Sequence, residues 1–253
     1  MKQAGFFFIG DLSELLPPEK RGRPYLCLFR GAQSVKHLIE SVGIPHTEVG
    51  SIDISGRAVD FNYIVQNGDE VQVRPVLALT GGNSLGVPSQ AAGQARFVLD
   101  NHLGRLAFFL RMLGFDTLYQ NDYQDNDIAQ ISSQAGRILL TRDRRLLMRS
   151  KVVYGYLVRS KIPRQQLLEV VQRFCLADQI MPFLRCMRCN GLLHEVKKED
   201  ILSRLERLTR QYFDEFRICQ DCQQVYWKGS HYDRMLRIIK EVVDTSPKLQ
   251  SVG

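Results

Sequence analysis

Four cysteines constrain this chain more than any other feature. They fall as Cys186-x-x-Cys189 and Cys219-x-x-Cys222, with 29 residues between the pairs. Each pair places two thiolates on one tight turn, and two such turns complete a tetrahedral zinc site. The segment must therefore fold back on itself, which predicts a zinc ribbon over 181–253 with a C-terminal helix. Sulfur fills all four positions, so the zinc expected here is structural, with no open position for catalysis. A redox Cys-x-x-Cys is the alternative, but two pairs in a cytosolic-looking chain favour metal over disulfides. The Lys197–Arg210 stretch between the pairs is expected as an inserted helix. Cys27 and Cys175 sit in apolar surroundings and are expected in the core.

The chain has 253 residues, 44% hydrophobic and 24% charged, and a net charge of +7. These values suit a soluble globular protein of two or three domains and exclude wholesale disorder. The charge is unevenly spread: −1 over residues 1–76, zero over 77–95, +5 over 96–180 and +3 over 181–253. A polyanion would thus meet the chain beyond residue 95. No apolar run nears the roughly 20 residues needed to span a bilayer. The apolar burst before Asp11 is too short for a signal peptide, so a cytoplasmic location and no membrane partner are expected.

The charge-free stretch 77–95, rich in Gly, Ser, Ala and Gln, predicts a flexible linker. Before it, Phe6–Ile9, Tyr25–Phe29, Ile52–Ile54 and Val71–Val73 read as strands, with PPEKRGRP as a turn. Ser34 reads as the N-cap of a helix presenting Val35, Leu38, Ile39 and Val42 on one face, stopped by Gly43 and Pro45. A small sheet wrapped round one helix is predicted for 1–76. The run SVKHLIESVGIPHTEVGSIDISGRAVDFNYIVQNGDEVQVRPV resembles ubiquitin-like β-grasp domains of the sulfur-carrier type. Carriers act through a free C-terminal Gly-Gly, whereas Gly81-Gly82 lies mid-chain here. An interaction or regulatory module is therefore expected, with a protein partner left open through this domain.

From 96 to 180 strand and helix signals alternate. Arg96–Leu99, Thr117–Tyr119, Ile138–Leu140 and Val152–Val158 read as strands, with helices between and after them, the last from Pro163 to Phe174. This pattern predicts a parallel sheet covered by helices on both faces. Ligands of such sheets gather beyond the strand carboxyl ends. Asp100 and Asp143 lie there, and Asp125 and Asp127 open the intervening helix. Clustered carboxylates repel unless a cation neutralises them, and an all-oxygen set suits Mg²⁺ or Mn²⁺. Each acid has a plainer role open to it: Asp125 or Asp143 as an N-cap, Asp127 as a partner of the helix dipole. Asp100, directly after a buried strand, has the least routine explanation.

The run FVLDNHLGRLAFFLRMLGFDTLYQNDYQDNDIAQISSQAGRILLTRDRRLL closely resembles the Mut-seven C-terminal RNase family, and the likeness continues through the ribbon to VYWKGSHYDRM. It implies a PIN-like α/β/α nuclease core over 96–180 that hydrolyses RNA phosphodiesters with divalent metal. Carried over by position, Asp100 matches the acid after the first strand, Asp125 the middle acid with Asp127 as neighbour or substitute, and Asp143 the acid of a T-x-D motif. Thr141 is the hydroxyl of that motif. Two positions depart from the pattern: Arg145 stands where many such sites carry another acid, and Phe108 where relatives often carry Arg. Arg145 keeps a rival open, a non-catalytic RNA- or ribosome-associated adaptor. The resemblance also leaves a homodimer open.

Arg105, Arg142, Arg144, Arg145 and Arg149 lie near these acids in sequence and can neutralise RNA phosphates, or form a solvated helix face. In the ribbon, Arg188, Trp227, Lys228 and His231 combine charge with stacking surface for RNA. Trp227 and Tyr226 equally suit the ribbon's own core.

Overall fold

The computed structural model describes residues 1–76 and 94–245. The stretch expected as a linker lies outside the described residues but for Gln94 and Ala95, as does Gly81-Gly82. The chain divides into two compact units, one holding residues 1–76 and 123–158, the other 94–122 and 159–245. The stretch expected as the nuclease, 96–180, is thus shared between them. Among the described residues no helix is long and apolar enough to cross a membrane.

The first unit begins with a ubiquitin-like fold. Strands β1 (Lys2–Phe8), β2 (Tyr25–Phe29), β3 (Val49–Ile54), β4 (Arg57–Val59) and β5 (Glu70–Pro75) form one sheet in the order β2-β1-β5-β3-β4. β1 and β5 are parallel, while β1/β2, β3/β5 and β3/β4 are antiparallel. Helix α1 (Val35–Ser41) buries Val35, Leu38 and Ile39, and Ser34 caps it as expected, accepting from His37 N at 3.2 Å. Phe6, Ile52, Val71 and Val73 complete the core from the sheet. β4 escapes the hydrophobic pattern because none of its residues is buried. Its signal was the turn: Ser55 and Gly56 both take positive φ, joining β3 to β4 by a two-residue hairpin. The expected PPEKRGRP turn contains a 3₁₀ turn at Pro18–Lys20, and a longer one at Gly10–Leu15 precedes it and buries Leu12 and Leu15.

The same unit contains helix α3 (Asp125–Ala135), strand β8 (Ile138–Thr141), helix α4 (Arg144–Leu147) and strand β9 (Gly155–Leu157). β8 and β9 are parallel, with Leu140 opposite Tyr156 and Thr141 opposite Leu157. β9 is shorter than the expected Val152–Val158. Gly136 ends α3 in the left-handed conformation, which glycine adopts without a Cβ penalty.

In the second unit, β6 (Arg96–Leu99) and β7 (Asp116–Leu118) are parallel, joined by helix α2 (Gly104–Met112). Phe97, Val98 and Leu99 are fully buried. Helix α5 (Pro163–Arg173) follows the prediction, but Cys175 beyond it is only half-buried and takes φ 47°. The chain turns there, so Cys175 is not the core residue its apolar neighbours suggested; Cys27 is buried as expected. The ribbon is an antiparallel sheet of β10 (Leu193–Val196), β11 (Phe216–Cys219) and β12 (Val225–Trp227). The insertion expected as one helix is two, α6 (Lys198–Ile201) and α7 (Arg207–Tyr212), with a 3₁₀ turn between them. Ile201 and Leu205 from this insertion pack on Phe216, Ile218 and Val225. Helix α8 (Ser230–Thr245) closes the described chain.

Candidate functional site

The two cysteine turns are built alike. Asn190 N donates to Cys186 O at 2.9 Å, and Gln223 N donates to Cys219 O at 3.1 Å. The fourth residue after each leading cysteine takes positive φ, 77° at Asn190 and 57° at Gln223. Gly191 follows the first turn because a Cβ there would lie 2.3 Å from Asp221 Oδ2 and 2.9 Å from Cys219 Sγ. These turns bring the four sulfurs within 4.8 Å of one another, with 3.6 Å between Cys186 and Cys222 and 3.4 Å between Cys189 and Cys219. Such spacing and an all-sulfur donor set fit a tetrahedral ion of zinc type. Among the described residues this is the one group of three or more histidine, cysteine and carboxylate side chains placed to hold an ion.

Tyr226 Oη lies 3.1 Å from Cys186 Sγ. Burial, then the Cys186 partner, push the phenol well above its ordinary range, so it keeps its proton and donates to sulfur. Burial alone would raise the Cys186 thiol. Hydrogen bonds from Tyr226 and from the backbone of Cys189 and Arg188 outweigh it and bring the value down to about 7. Burial raises the other three thiols.

A polar joint that sequence reasoning missed ties the ribbon to its own unit. Arg111 of α2 is 4% exposed and donates to the carbonyls of Thr117 at 2.9 Å and Arg188 at 2.8 Å. Asn190 completes the joint, accepting from Thr117 N through Oδ1 and donating to Asp116 Oδ1, both at 2.8 Å. The only available signal was an arginine on the apolar face of a helix.

The acidic positions take distinct local roles. Asp100 follows β6, is 6% exposed and caps no helix N–H. Thr141 is buried at the end of β8, and its hydroxyl accepts from Asp143 N at 2.9 Å. Asp143 is the N-cap of α4, accepting from Arg145 N at 2.8 Å. Asp125 is not a cap: Gln124 holds that position, and Asp125 pairs with Arg149 at 3.0 Å. Asp127 closes the capping box, accepting from Gln124 N at 3.3 Å.

Among the basic candidates, Arg105 lies over the rings of Phe108 and Phe109, 4.7 and 5.0 Å from their centroids. Arg144 donates to Leu15 O at 2.8 Å. Arg142, Arg145, Arg188 and His231 are exposed. Trp227 is 40% exposed, and Lys228 pairs with Glu215.

A ubiquitin-like fold, parallel strand pairs linked through helices, and a cluster of four sulfurs placed to hold an ion define an α/β protein with a C-terminal four-cysteine module. The chain belongs to the Mut7-C RNAse family: the Mut7-C RNAse domain matches residues 95–239, and the Mut7-C ubiquitin domain matches residues 1–80. No curated protein and no solved structure matches it.

Proposed function

We propose that the chain is a divalent-metal-dependent ribonuclease that hydrolyses RNA phosphodiester bonds in a PIN-like core over 96–180. The observation that carries this reading is the Mut7-C RNAse match over residues 95–239, a range that includes every acidic candidate. Asp100, Asp143 and Asp125 are the acids assigned to Mg²⁺ or Mn²⁺. Such an ion lowers the pKa of a bound water and makes it a nucleophile at neutral pH. Thr141 positions Asp143 through the bond to its backbone. Asp125 is preferred to Asp127 as the middle acid, because its carboxylate is held by an exposed side chain and Asp127's by the helix cap itself. The four cysteines hold a structural zinc. RNA is gripped by Arg105, Arg142, Arg145 and Arg188, with Trp227, Lys228 and His231 contributing from the ribbon; Arg144 joins them only with the donors it does not give to Leu15.

One observation favours the second reading, a non-catalytic RNA-associated adaptor. Asp125, Asp127 and Asp143 each already serve a local structural bond, and Arg145 replaces a further acid. Incubating the purified chain with labelled single-stranded and structured RNAs in Mg²⁺, Mn²⁺ or EDTA separates the two. The nuclease reading expects metal-dependent cleavage that is lost in Asp100→Asn and Asp143→Asn. Equal cleavage by the wild type and both variants would sink the assigned acids, and binding without cleavage would establish the adaptor.

A further inference from the structure

The ubiquitin-like fold contains a fully buried loop, which is unusual because connecting segments run over surfaces where water satisfies their backbone. Residues 44–48, which lead into β3, are all buried, with His46 at 6%, Thr47 at 1% and Glu48 at 1% exposure. A glutamate so deeply buried needs a dedicated partner. Glu48 Oε1 accepts from Leu157 N at 2.7 Å, a short bond to the backbone of β9. Nearby, His46 Nε2 lies 2.8 Å from Val152 O, and His46 Nδ1 lies 2.7 Å from Glu40 Oε1.

The location of these bonds gives them a purpose. Leu157 sits opposite Thr141 in the parallel pair, and Val158 N donates to Thr141 O at 2.8 Å. Successive N–H groups of a strand point to opposite sides, so Leu157 N points away from β8, and Glu48 satisfies that outer edge. Thr141 in turn holds the backbone of Asp143 through its hydroxyl. On the other side of Asp143, Arg144 is anchored on Leu15 O of the ubiquitin-like fold. The Thr141-Arg142-Asp143 turn is therefore braced from both flanks by residues 15 and 48, more than ninety positions earlier in the chain.

We propose that the ubiquitin-like fold is a built-in brace for the nuclease, with Glu48 as a positioning residue that holds Asp143 through Leu157 and Thr141. The proposal rests on the nuclease reading given above. It assigns the loop to this chain's own catalytic half, leaving the remaining surface of the fold for other partners.

Glu48→Met removes the acceptor at similar volume, whereas Glu48→Gln retains an acceptor oxygen. In the full chain, amide hydrogen exchange at Leu157 is expected to quicken about tenfold in Glu48→Met. For RNA cleavage, kcat is expected to fall about tenfold or more with KM little changed. Glu48→Gln is expected to restore both. Should Glu48→Met fail to fold, Glu48→Asp withdraws the acceptor by one methylene and carries the same expectations. Unaltered exchange at Leu157 would overturn the brace itself. Faster exchange with unaltered kcat would overturn the positioning role while leaving the brace intact. A wild type that never cleaves RNA would remove the nuclease reading and the positioning role together, with the exchange arm still deciding whether the brace exists.

Discussion

Arg111 Nη1 donates to the carbonyl oxygen of Arg188 at 2.8 Å, so helix α2 grips the first cysteine turn directly. The guanidinium is buried and spans Thr117 O as well, a reach that depends on its forked donors. Arg111→Met should destabilise the chain by about 3 kcal/mol, because it leaves buried carbonyls without donors. Arg111→Lys should recover less than half of that. Urea unfolding followed by the fluorescence of the single tryptophan, Trp227, measures both.

Tyr226→Phe removes the hydroxyl that donates to Cys186 sulfur. A thiol held down to about 7 competes poorly for protons at neutral pH and is free for metal. Without that hydroxyl the thiol rises, so protons should displace zinc at a higher pH than in the wild type. Zinc affinity at pH 7 should fall about tenfold, the usual scale for losing an outer partner of a ligand. Competition with a chromophoric chelator across pH 6–8 tests this, and an unchanged affinity profile would separate Tyr226 from the centre. Wild type should carry about one zinc per chain, lost in Cys186→Ser.

The middle acid can be resolved by contrasting two variants. Asp127→Asn should weaken the α3 capping box by about 1 kcal/mol and leave most cleavage intact. Asp125→Asn should barely alter stability, since its Arg149 pair is half exposed. Yet it should reduce cleavage about a hundredfold. Asp143→Asn keeps a good N-cap residue, so any activity it loses reports chemistry and not folding of α4. Thermal melts alongside cleavage rates supply the comparison, and the opposite ranking of 125 and 127 would reassign the site.

Trp227 lies on β12 opposite Phe216, with part of its ring open to solvent. If that face stacks a base, Trp227→Ala should cost single-stranded RNA binding about 1–3 kcal/mol. Fluorescence anisotropy with a labelled oligonucleotide, paired with a melt, distinguishes this from a core role. A large loss of stability with unchanged affinity would assign Trp227 to the ribbon's packing.

Much of this architecture is legible residue by residue. Ser34 caps α1, Gly136 ends α3, and Tyr25–Phe29 is a strand to the residue, since each follows from local stereochemistry or from a short apolar run bounded by turn residues. The four cysteines meet because their spacing allowed little else. β4 and the broken insertion were harder to read. The first shows no buried face, and the second is shaped by packing on Phe216 and Ile218, not by its own propensity.

The sequence by itself determined the family, most of the strand and helix order, the pairing of the cysteines and the positions read as candidate acids. Tertiary structure decided what the polar interior does. Glu48, His46, Arg111 and Asn190 give little sign of their roles in one dimension, because each has a backbone partner more than seventy positions away. A carbonyl or amide carries no side-chain signature, so only folding could show that Glu48 serves Leu157 and that Arg111 serves Arg188.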